Sequence, residues 1–392
     1  MKHRAYKYRF YPTQEQEVIL RKSLGCARFV YNYFLDYKSK KWKEEKQNVS
    51  MYETSRILTQ LKKEQEYEWL KEPVAAVLQG SLINLNDAYQ RFFKGKANFP
   101  KFKKKSGRNS IYFSPNAFSY KDGNIKLYKC GVIDIRWSRT LPNGVYPKSC
   151  VVSLEPSGRW CISILIEDPT IQELEPVEKS IGLDMGINHF VVSSDGDKIK
   201  SPILKKEYEK LKKLQRRLSK KQKGSNNRYK AKIKVAKQYQ RITDIRTDFQ
   251  HKLSTKLVRE NQTICLETLN IVGMVKNRKL SRVISEASWG TFISMLEYKC
   301  DWYGRNLVKI DRWFPSSKTC SSCGSIQPKM SLSVREWTCP DCGVHHNRDV
   351  NAAKNILAVG NTVYACGGNV RPKEVNSGGN SVEAGNSNRK VE

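Results

Sequence analysis

The stretch Lys179–Gly196, K-S-I-G-L-D-M-G-I-N-H-F-V-V-S-S-D-G, places an acidic residue where an apolar strand would end. Ile181 and Leu183 bracket a glycine and lead into Asp184, and a second apolar run begins at Phe190. This spacing predicts two short strands joined as a hairpin, with a carboxylate at the end of the first strand. A salt bridge is one explanation for an acid in that place, and a functional site is another.

Two further acids occupy similar positions later in the chain. Glu267 ends the apolar strand T-I-C-L-E, and Asp349 stands at the start of a helix with one apolar face. Taken singly, a helix cap or a salt bridge explains each of them. The predicted elements follow one another in a definite order. A first strand leads through a hairpin to a second and a third strand, and these are followed by helices, a strand, a helix, a strand and a final helix. This is the order of an RNase H-like fold. In that fold the three acids converge, and such close carboxylates repel one another unless divalent cations lie among them.

Magnesium is the expected ion for such a cluster, and manganese is a possible substitute. Two Mg²⁺ ions ~4 Å apart would supply the nucleophile and stabilise the leaving 3′ oxygen of a phosphodiester. The order of the elements therefore predicts that Asp184, Glu267 and Asp349 are catalytic and bind two Mg²⁺ ions.

Four of the eleven cysteines lie in two C-x2-C pairs separated by fifteen residues, Cys320 with Cys323 and Cys339 with Cys342. This spacing is typical of a closed structural site in which four thiolates bind one Zn²⁺ ion. Chance pairs and a redox dithiol are the alternatives. His345 and His346 could replace a cysteine as ligands, but adjacent histidines in this position are more often surface residues. The other seven cysteines are scattered, which suits a reducing cytoplasm.

The charge of the chain indicates a polyanionic partner. The sequence has 71 Lys and Arg against 38 Asp and Glu, a formal net charge of +33. Nucleic acid is the leading candidate, and a cationic surface kept for solubility is the alternative, although acidic residues serve that purpose better. No run approaches the ~18 apolar residues of a membrane helix, and no apolar segment follows the basic N-terminus. We therefore expect a cytoplasmic protein without membrane contact.

The N-terminal part of the sequence predicts strands that enclose a helical segment. Residues 5–12 alternate aromatic and basic side chains as one strand, and helical periodicity extends from residue 13 to about residue 93. Strands return between about 112 and 168, with a hairpin turn at 156–158. Because the first strand can join these later ones, we expect a small barrel.

Two basic segments are candidates for contact with nucleic acid. The loop at 94–108 has seven basic residues, no acid and two aromatic rings, which suits phosphates and stacked bases; a solvated charged loop is the alternative. Two helical patterns at 203–260 predict a hairpin with 20 Lys and Arg against 5 Asp and Glu, an excess beyond the needs of solvation. The candidate contact residues are Lys101, Lys103, Lys104, Lys105, Arg216, Arg217, Lys220 and Lys221.

Taken together, the motifs resemble those of the TnpB-type (OrfB) proteins of small insertion sequences, compact relatives of the type V CRISPR effectors. The matching pieces keep their order and include Y-R-F-Y-P-T, G-C-A-R-F-V-Y-N, F-P-K-F-K-K-K, G-L-D-M-G-I, L-E-T-L-N, F-P-S-S-K-T-C-S-S-C-G, W-T-C-P-D-C-G and N-R-D-V-N-A-A. The resemblance implies an α+β multidomain protein. An RNase H-like (RuvC) nuclease domain with an inserted zinc ribbon would follow a β-barrel wedge domain that carries a helical-bundle recognition domain.

The expected boundaries follow from this resemblance. They are 1–12 for the first strand of the wedge barrel, 13–110 for the recognition domain, 111–176 for the rest of the wedge barrel, 177–312 for the nuclease domain with its basic hairpin 203–260, 313–344 for the zinc ribbon, 345–362 for the last nuclease helix and 363–392 for a disordered tail.

The resemblance also implies an activity. Members of the family bind a guide RNA derived from the element's right end and cut double-stranded DNA beside a short target-adjacent motif. The protein would then be a Mg²⁺-dependent, RNA-guided endonuclease, a monomer in a nucleoid-associated ribonucleoprotein of a prokaryote. A nuclease-silent RNA-guided repressor and a guide-independent transposase or resolvase are the alternatives.

Three further residues have two explanations each. Tyr52 and Gln79 lie in the helical recognition segment, where each would face DNA or make a buried hydrogen bond. Arg335 would approach the scissile phosphate or make a structural contact within the ribbon.

Overall fold

The computed structural model describes residues 2–107, 109–278, 280–331 and 333–366. Within this part of the chain, contacts divide the protein into two compact units. The first unit consists of the residues up to Gln172 together with Pro202–Thr247, and the second consists of Glu173–Ser201 and the residues from Asp248 onward.

A five-stranded antiparallel sheet organises the first unit. Its N-terminal strand alternates in burial and places Tyr6, Tyr8 and Phe10 in the core. The predicted hairpin with its turn at 156–158 is confirmed, because residues 149–154 before the turn pair with residues 160–165 after it. In sheet order the strands are β2 (Asn109–Phe113), β7 (Ser149–Leu154), β8 (Trp160–Glu167), β1 (His3–Tyr11) and β6 (Asp134–Arg136).

The closed barrel expected from the sequence is not seen. Among the described residues no ladder joins β2 to β6, so the sheet remains open. The chain between these two strands instead forms a small antiparallel sheet of its own and does not complete a ring. That second sheet consists of β3 (Phe118–Lys121), β4 (Asn124–Leu127) and β5 (Gly131–Val132).

The predicted helical bundle is confirmed between β1 and β2. It consists of α1 (Gln14–Glu45), α2 (Met51–Leu61), a 3-10 helix at Gln65–Lys71 and α3 (Ala75–Phe93). A capping box begins α1 directly after the strand, since Thr13 accepts a hydrogen bond from the backbone of Gln16 and the Gln16 side chain accepts one from Thr13 N–H.

The basic hairpin is also present, as α4 (Lys205–Ser219) and α5 (Asn226–Glu260). The sequence groups this hairpin with the nuclease domain, but most of it belongs by contact to the first unit. One reason is Asp244, which pairs with both terminal nitrogens of Arg159 at 3.1 and 2.8 Å and with Arg9 at 3.5 Å.

A mixed five-stranded sheet forms the centre of the second unit. The neighbours β9, β12 and β13 are parallel, whereas β10 and β11 continue the sheet antiparallel from β9. In sheet order the strands are β11 (Lys198–Ile199), β10 (Val191–Ser193), β9 (Ser180–Asp184), β12 (Thr263–Glu267) and β13 (Asn306–Ile310). The helices are α6 (Ile271–Met274), α7 (Ser281–Ala287), α8 (Trp289–Tyr303) and α9 (Arg348–Ala365).

The cysteine-rich segment between β13 and α9 contains a short antiparallel pair, β14 (Glu336–Thr338) and β15 (His345–Asn347). The last helix therefore begins after β15, and it continues to Ala365, past the predicted end at residue 362. The rest of the predicted disordered tail, 367–392, lies outside the described residues. In the described part of the chain, no helix combines the length and the apolar character needed to cross a membrane.

Candidate active site and metal centres

Asp184 and Glu267 are the last residues of two adjacent parallel strands, β9 and β12. The register pairs Leu183 with Leu266, so the two acids are the next residues along neighbouring strands and lie at the same sheet edge. Alternate residues of a strand share a face. Two residues before the acids, Gly182 and Cys265 both face α9, so both carboxylates belong to the sheet face that α9 covers.

The third acid, Asp349, lies in the first turn of α9. Asn347 caps the helix by accepting a hydrogen bond from Val350 N at 3.4 Å, which fixes where the helix begins. Asp349 is near enough to Asp184 that its charge acts on that carboxyl group. All three acids are half-buried.

Glycine permits the close approach of α9 to the sheet. A Cβ atom at Gly182 would overlap the carbonyl oxygen of Ala353, and one at Gly360 would overlap the sulfur of Cys265. The α9 backbone therefore lies directly against the backbone of β9 at Gly182, and at Gly360 it lies against the Cys265 side chain of β12. This approach brings the start of α9 to the edge where β9 and β12 end.

Burial and the two neighbouring acids disfavour the ionised form of Asp184. Burial, and then the charges of Asp349 and Glu267, raise the pKa of Asp184 from 3.8 to about 7. Burial raises the pKa of Glu267 as well. The guanidinium groups of Arg348 and Arg335 act in the opposite direction on Asp184 without cancelling the shift. Such a cluster is stabilised in its ionised form by divalent cations.

The donor set of the three acids suits magnesium. Carboxylate oxygens are hard ligands of the kind that bind Mg²⁺ and Mn²⁺ in proteins. The three carboxylates at this sheet edge are therefore compatible with the predicted magnesium pair.

Arg335 lies beside these acids. Its Nη1 atom is 3.5 Å from Oδ1 of Asp349, and its side chain is 53% exposed. Its backbone carbonyl accepts a hydrogen bond from Arg348 N at 2.8 Å. The residue thus makes the structural contact that the sequence suggests and also presents a charged group at the acid centre.

The four cysteines come together as a metal-binding group. All four Sγ atoms lie within 4.8 Å of one another, and the pairs Cys320–Cys342 and Cys323–Cys339 are 3.7 Å apart. Tetrahedral zinc with Zn–S bonds of ~2.3 Å requires sulfurs about 3.8 Å apart. The thiols therefore fit a Zn²⁺ ion.

The turn at residues 320–325 is called the knuckle below. The groups around it favour a thiolate at Cys320. Burial would raise the pKa of this thiol, but hydrogen bonds from the backbone N–H groups of Cys323 and Ser322 and from His346 lower it to about 6. A site that already stabilises one thiolate is prepared for a cation.

His346 is not the surface residue that the sequence suggests. It is 7% exposed, its Nε2 atom lies 3.1 Å from Cys320 Sγ, and its ring packs against Trp337 at 4.9 Å between centroids. His345, in contrast, is exposed. Side chains alternate between the two faces of β15, so one histidine points inward and the other outward. A three-residue strand is too short for this pattern to be recognised from sequence.

The predicted nucleic-acid contacts have different surroundings. Tyr52 is 81% exposed on α2, whereas Gln79 on α3 exchanges hydrogen bonds with Ser55 at 3.0 and 3.3 Å. The ammonium group of Lys103 lies 4.0 Å from the centre of the Tyr31 ring. Exposed positions are occupied by Lys101, Lys104, Lys105, Arg216, Arg217, Lys220 and Lys221.

Three family models match separate parts of the chain. Residues 163–278 match the OrfB IS605 model, described as "Probable transposase", and residues 289–356 match the Cas12f1-like TNB domain. Residues 1–47 match a helix-turn-helix domain, although this span contains β1 and the single long helix α1.

Similar proteins extend over nearly the whole chain. A protein of Streptomyces pristinaespiralis named "Putative RNA-guided DNA endonuclease" is 48% identical over 377 residues, which covers 95% of this chain and 93% of that protein. The Escherichia coli K12 protein named "Putative RNA-guided DNA endonuclease InsQ" is 32% identical and covers 93% and 94%.

Among solved structures, the cryo-EM structure of a Cas12f1–sgRNA–target DNA complex matches with a TM-score of 0.56 and 14% identity, over 91% of this chain and 98% of that one. At this identity the match concerns the fold, a Cas12-like α+β arrangement of several domains. The two near-full-length relatives show that the chain belongs to the TnpB-type (OrfB) family, a relative of Cas12f.

Proposed function

We propose that the protein is an RNA-guided DNA endonuclease of a transposable element and that it cuts double-stranded DNA beside a short target-adjacent motif. The observation that carries the proposal is the meeting of Asp184, Glu267 and Asp349 at one sheet edge. The names of the near-full-length relatives support RNA as guide and DNA as substrate. All three acids are present, which favours cutting over a nuclease-silent repressor.

The element order supports the proposed domain roles. The RNase H-like (RuvC) nuclease is proposed at 177–312 and 345–362. It would consist of three parallel strands, two antiparallel strands and a final helix that carries the last acid. The cysteine group supports a zinc ribbon inserted at 313–344. The helical bundle and the open sheet would serve as the recognition and wedge domains.

In this proposal the chain's own residues prepare the reaction site. Asp184, Glu267 and Asp349 would hold two Mg²⁺ ions, or Mn²⁺, which supply Lewis-acid chemistry for phosphodiester hydrolysis. The half-exposed guanidinium of Arg335 would bind a phosphate oxygen of the DNA strand at the same edge. The fixed start of α9 would orient the Asp349 carboxylate toward the other two acids.

The basic surface would hold the nucleic acids. Exposed cations on α4 and in the loop at 94–108 suit a guide–target heteroduplex, which proteins bind through its backbone while base pairing reads the sequence. A net charge of +33 provides for many phosphate contacts.

The experiment begins with the RNA that purifies with the full-length protein. Its sequence identifies the guide segment, and a plasmid library then presents the complementary sequence beside randomised flanks. We expect Mg²⁺-dependent cutting only of plasmids that carry the match and one short flanking motif. Gently purified protein that contains no RNA would contradict the proposal, and cutting that ignores the RNA sequence would instead favour a guide-independent transposase or resolvase.

A further inference from the structure

We propose that the zinc knuckle orients the catalytic acid Asp349. Asn351 and Asn355 would tie α9 to the backbone of the first knuckle, so that the cysteine site sets how tightly the acid centre binds its divalent cations. This inference rests on the proposed function, and it adds two positioning residues and a link between two metal sites.

Both asparagines contact the chain around the first zinc cysteine. Asn351 donates from Nδ2 to Thr319 O at 2.7 Å and accepts at Oδ1 from Ser321 N at 2.9 Å. One helical turn later, Asn355 donates from Nδ2 to Thr319 O at 2.6 Å and to Ser316 O at 2.8 Å. Four hydrogen bonds thus join one face of α9 to the knuckle and the residues before it.

The metal site determines the backbone to which these bonds are made. Thr319 and Ser321 are the two neighbours of Cys320 in the chain, so the position of its sulfur constrains the carbonyl and the N–H that Asn351 contacts. The knuckle turn itself is closed by hydrogen bonds from Cys320 N to Ser325 O at 2.8 Å and from Gly324 N to Cys320 O at 2.9 Å. Zinc at the four thiolates would fix this turn, and loss of zinc would free it.

Burial makes these bonds strong determinants of the helix position. Asn351 is 1% exposed and Asn355 is 6% exposed. A buried amide that loses its partner leaves a desolvated polar group unpaired, which is costly. The helix is therefore held where both amides are satisfied.

The knuckle bonds hold α9 from a second side, in addition to its packing on the sheet. Gly182 and Gly360 set how near α9 comes to the strands, and Ile356, Leu357 and Val363 pack on the strand core from the same helix. With 3.6 residues per turn, Asp349 and Asn351 lie on roughly opposite sides of the helix. A rotation that breaks the Asn351 bonds would swing the Asp349 carboxylate away from Asp184 and Glu267.

The ribbon also grips the start of α9. Arg348 donates from its backbone N to Arg335 O at 2.8 Å and from Nη1 to Ser331 O at 3.0 Å. The residue adjacent to Asp349 is thus held by the second half of the ribbon, while Asn351 and Asn355 are held by the first half. Both halves of the zinc-binding segment therefore constrain the first two turns of α9.

The test measures Mn²⁺ binding to the full-length ribonucleoprotein by electron paramagnetic resonance. Sites lost in Asp184→Ala define the acid centre and separate it from Mn²⁺ bound to RNA. We expect Asn351→Leu and Asn355→Leu to weaken binding at these sites by roughly 10–100-fold, as is usual when a metal ligand loses the groups that orient it. Cleavage should need correspondingly more Mn²⁺ and should recover at saturating Mn²⁺.

Two controls separate positioning from folding. Asn361→Leu alters the same residue type at an exposed place on the same helix and should leave Mn²⁺ affinity unchanged. The thiolate-to-cobalt absorption of Co²⁺-loaded protein should be the same in all variants, since none removes a cysteine. If Asn351→Leu loses this absorption, the Mn²⁺ affinity of Asn355→Leu alone tests the positioning role, because that variant leaves both Asn351 hydrogen bonds in place.

The outcomes distinguish this inference from the proposed function. In one outcome both asparagine variants bind Mn²⁺ with wild-type affinity, while Asp184→Ala is inactive and does not bind Mn²⁺ at the acid centre. This result would overturn the positioning role and leave the proposed nuclease function intact. Wild-type Mn²⁺ binding in Asp184→Ala would overturn the acid centre itself.

Discussion

At the scale of single residues, Gly182 controls the distance between α9 and the strand that carries Asp184. A methyl group at this position would overlap the Ala353 carbonyl and crowd Leu357. We expect Gly182→Ala to displace α9 and to lower the free energy of unfolding by about 1–3 kcal/mol. Urea unfolding of the purified protein measures this change.

Gly25 on α1 provides a matched control for that substitution. A Cβ at Gly25 meets nothing within 4 Å, so Gly25→Ala should stabilise the helix by up to about 1 kcal/mol. Equal stability of the two variants would contradict the close packing of α9 on β9.

The acids and the cysteines carry local signals that a sequence can reveal. Asp184 and Glu267 end apolar strands, as predicted, and the four thiols have knuckle spacing and do come together. His346 and Asn351 carry no such signal. A histidine in a three-residue strand and an asparagine within a helix become informative only when their partners, Cys320 and Thr319, are known.

At the scale of elements, we expect the short strands β14 and β15 to depend on zinc at the four cysteines, because so short a pair has little core of its own. We expect Cys339→Ser to lower the zinc content from about one ion per chain to nearly none, since three thiolates do not close a tetrahedral site. Elemental analysis of the purified protein measures the zinc.

Cys366→Ser provides the control, because Cys366 is exposed and lies outside the group of four. It should keep the full zinc content. Full zinc in Cys339→Ser, or loss of zinc in Cys366→Ser, would contradict the assignment of the ligands.

The end of α4 and the chain after it contribute exposed positive charge. Replacing Arg216, Arg217, Lys220 and Lys221 by Gln should weaken binding of the co-purifying RNA. The slope of log affinity against log salt should also fall by about 3, because each lost phosphate contact removes about 0.7–0.9. Titrations of RNA binding between low and physiological salt measure both quantities.

The charge-conserving variant Arg216→Lys with Arg217→Lys should keep the wild-type slope, because a lysine releases the same counterions. An unchanged slope in the four-Gln variant would mean that these cations only solvate the helix, the alternative that the sequence left open.

Helices with long apolar stripes are predictable here, and sheet closure is not. The periodicity of α1, α3, α4 and α5 identifies each helix from sequence, since apolar residues recur every three or four positions. Whether strands close into a barrel depends on which edges pair. The residues of β3, β4 and β5 pair with one another, which no local pattern could reveal.

At the scale of the whole molecule, the sequence predicts the partner class better than it predicts how the chain divides. The charge of +33 and the ordered motifs indicate nucleic acid and the family. The grouping of Pro202–Thr247 with the first unit depends on tertiary contacts such as Asp244 with Arg159. Such pairs join residues that are distant in sequence and carry no signal of their own.

The central claim is that one cluster of three acids cuts DNA chosen by a bound RNA. The most direct measurement compares wild type, Asp184→Asn and Asp197→Asn for the rate of cutting a plasmid that matches the co-purifying RNA, with target binding measured in parallel. Asp197 is an exposed acid near the same sheet, so its variant is the control. The account predicts that Asp184→Asn binds the target like wild type but cuts at least ~10³-fold more slowly in Mg²⁺, while Asp197→Asn cuts normally. Cutting by Asp184→Asn at the wild-type rate would contradict it.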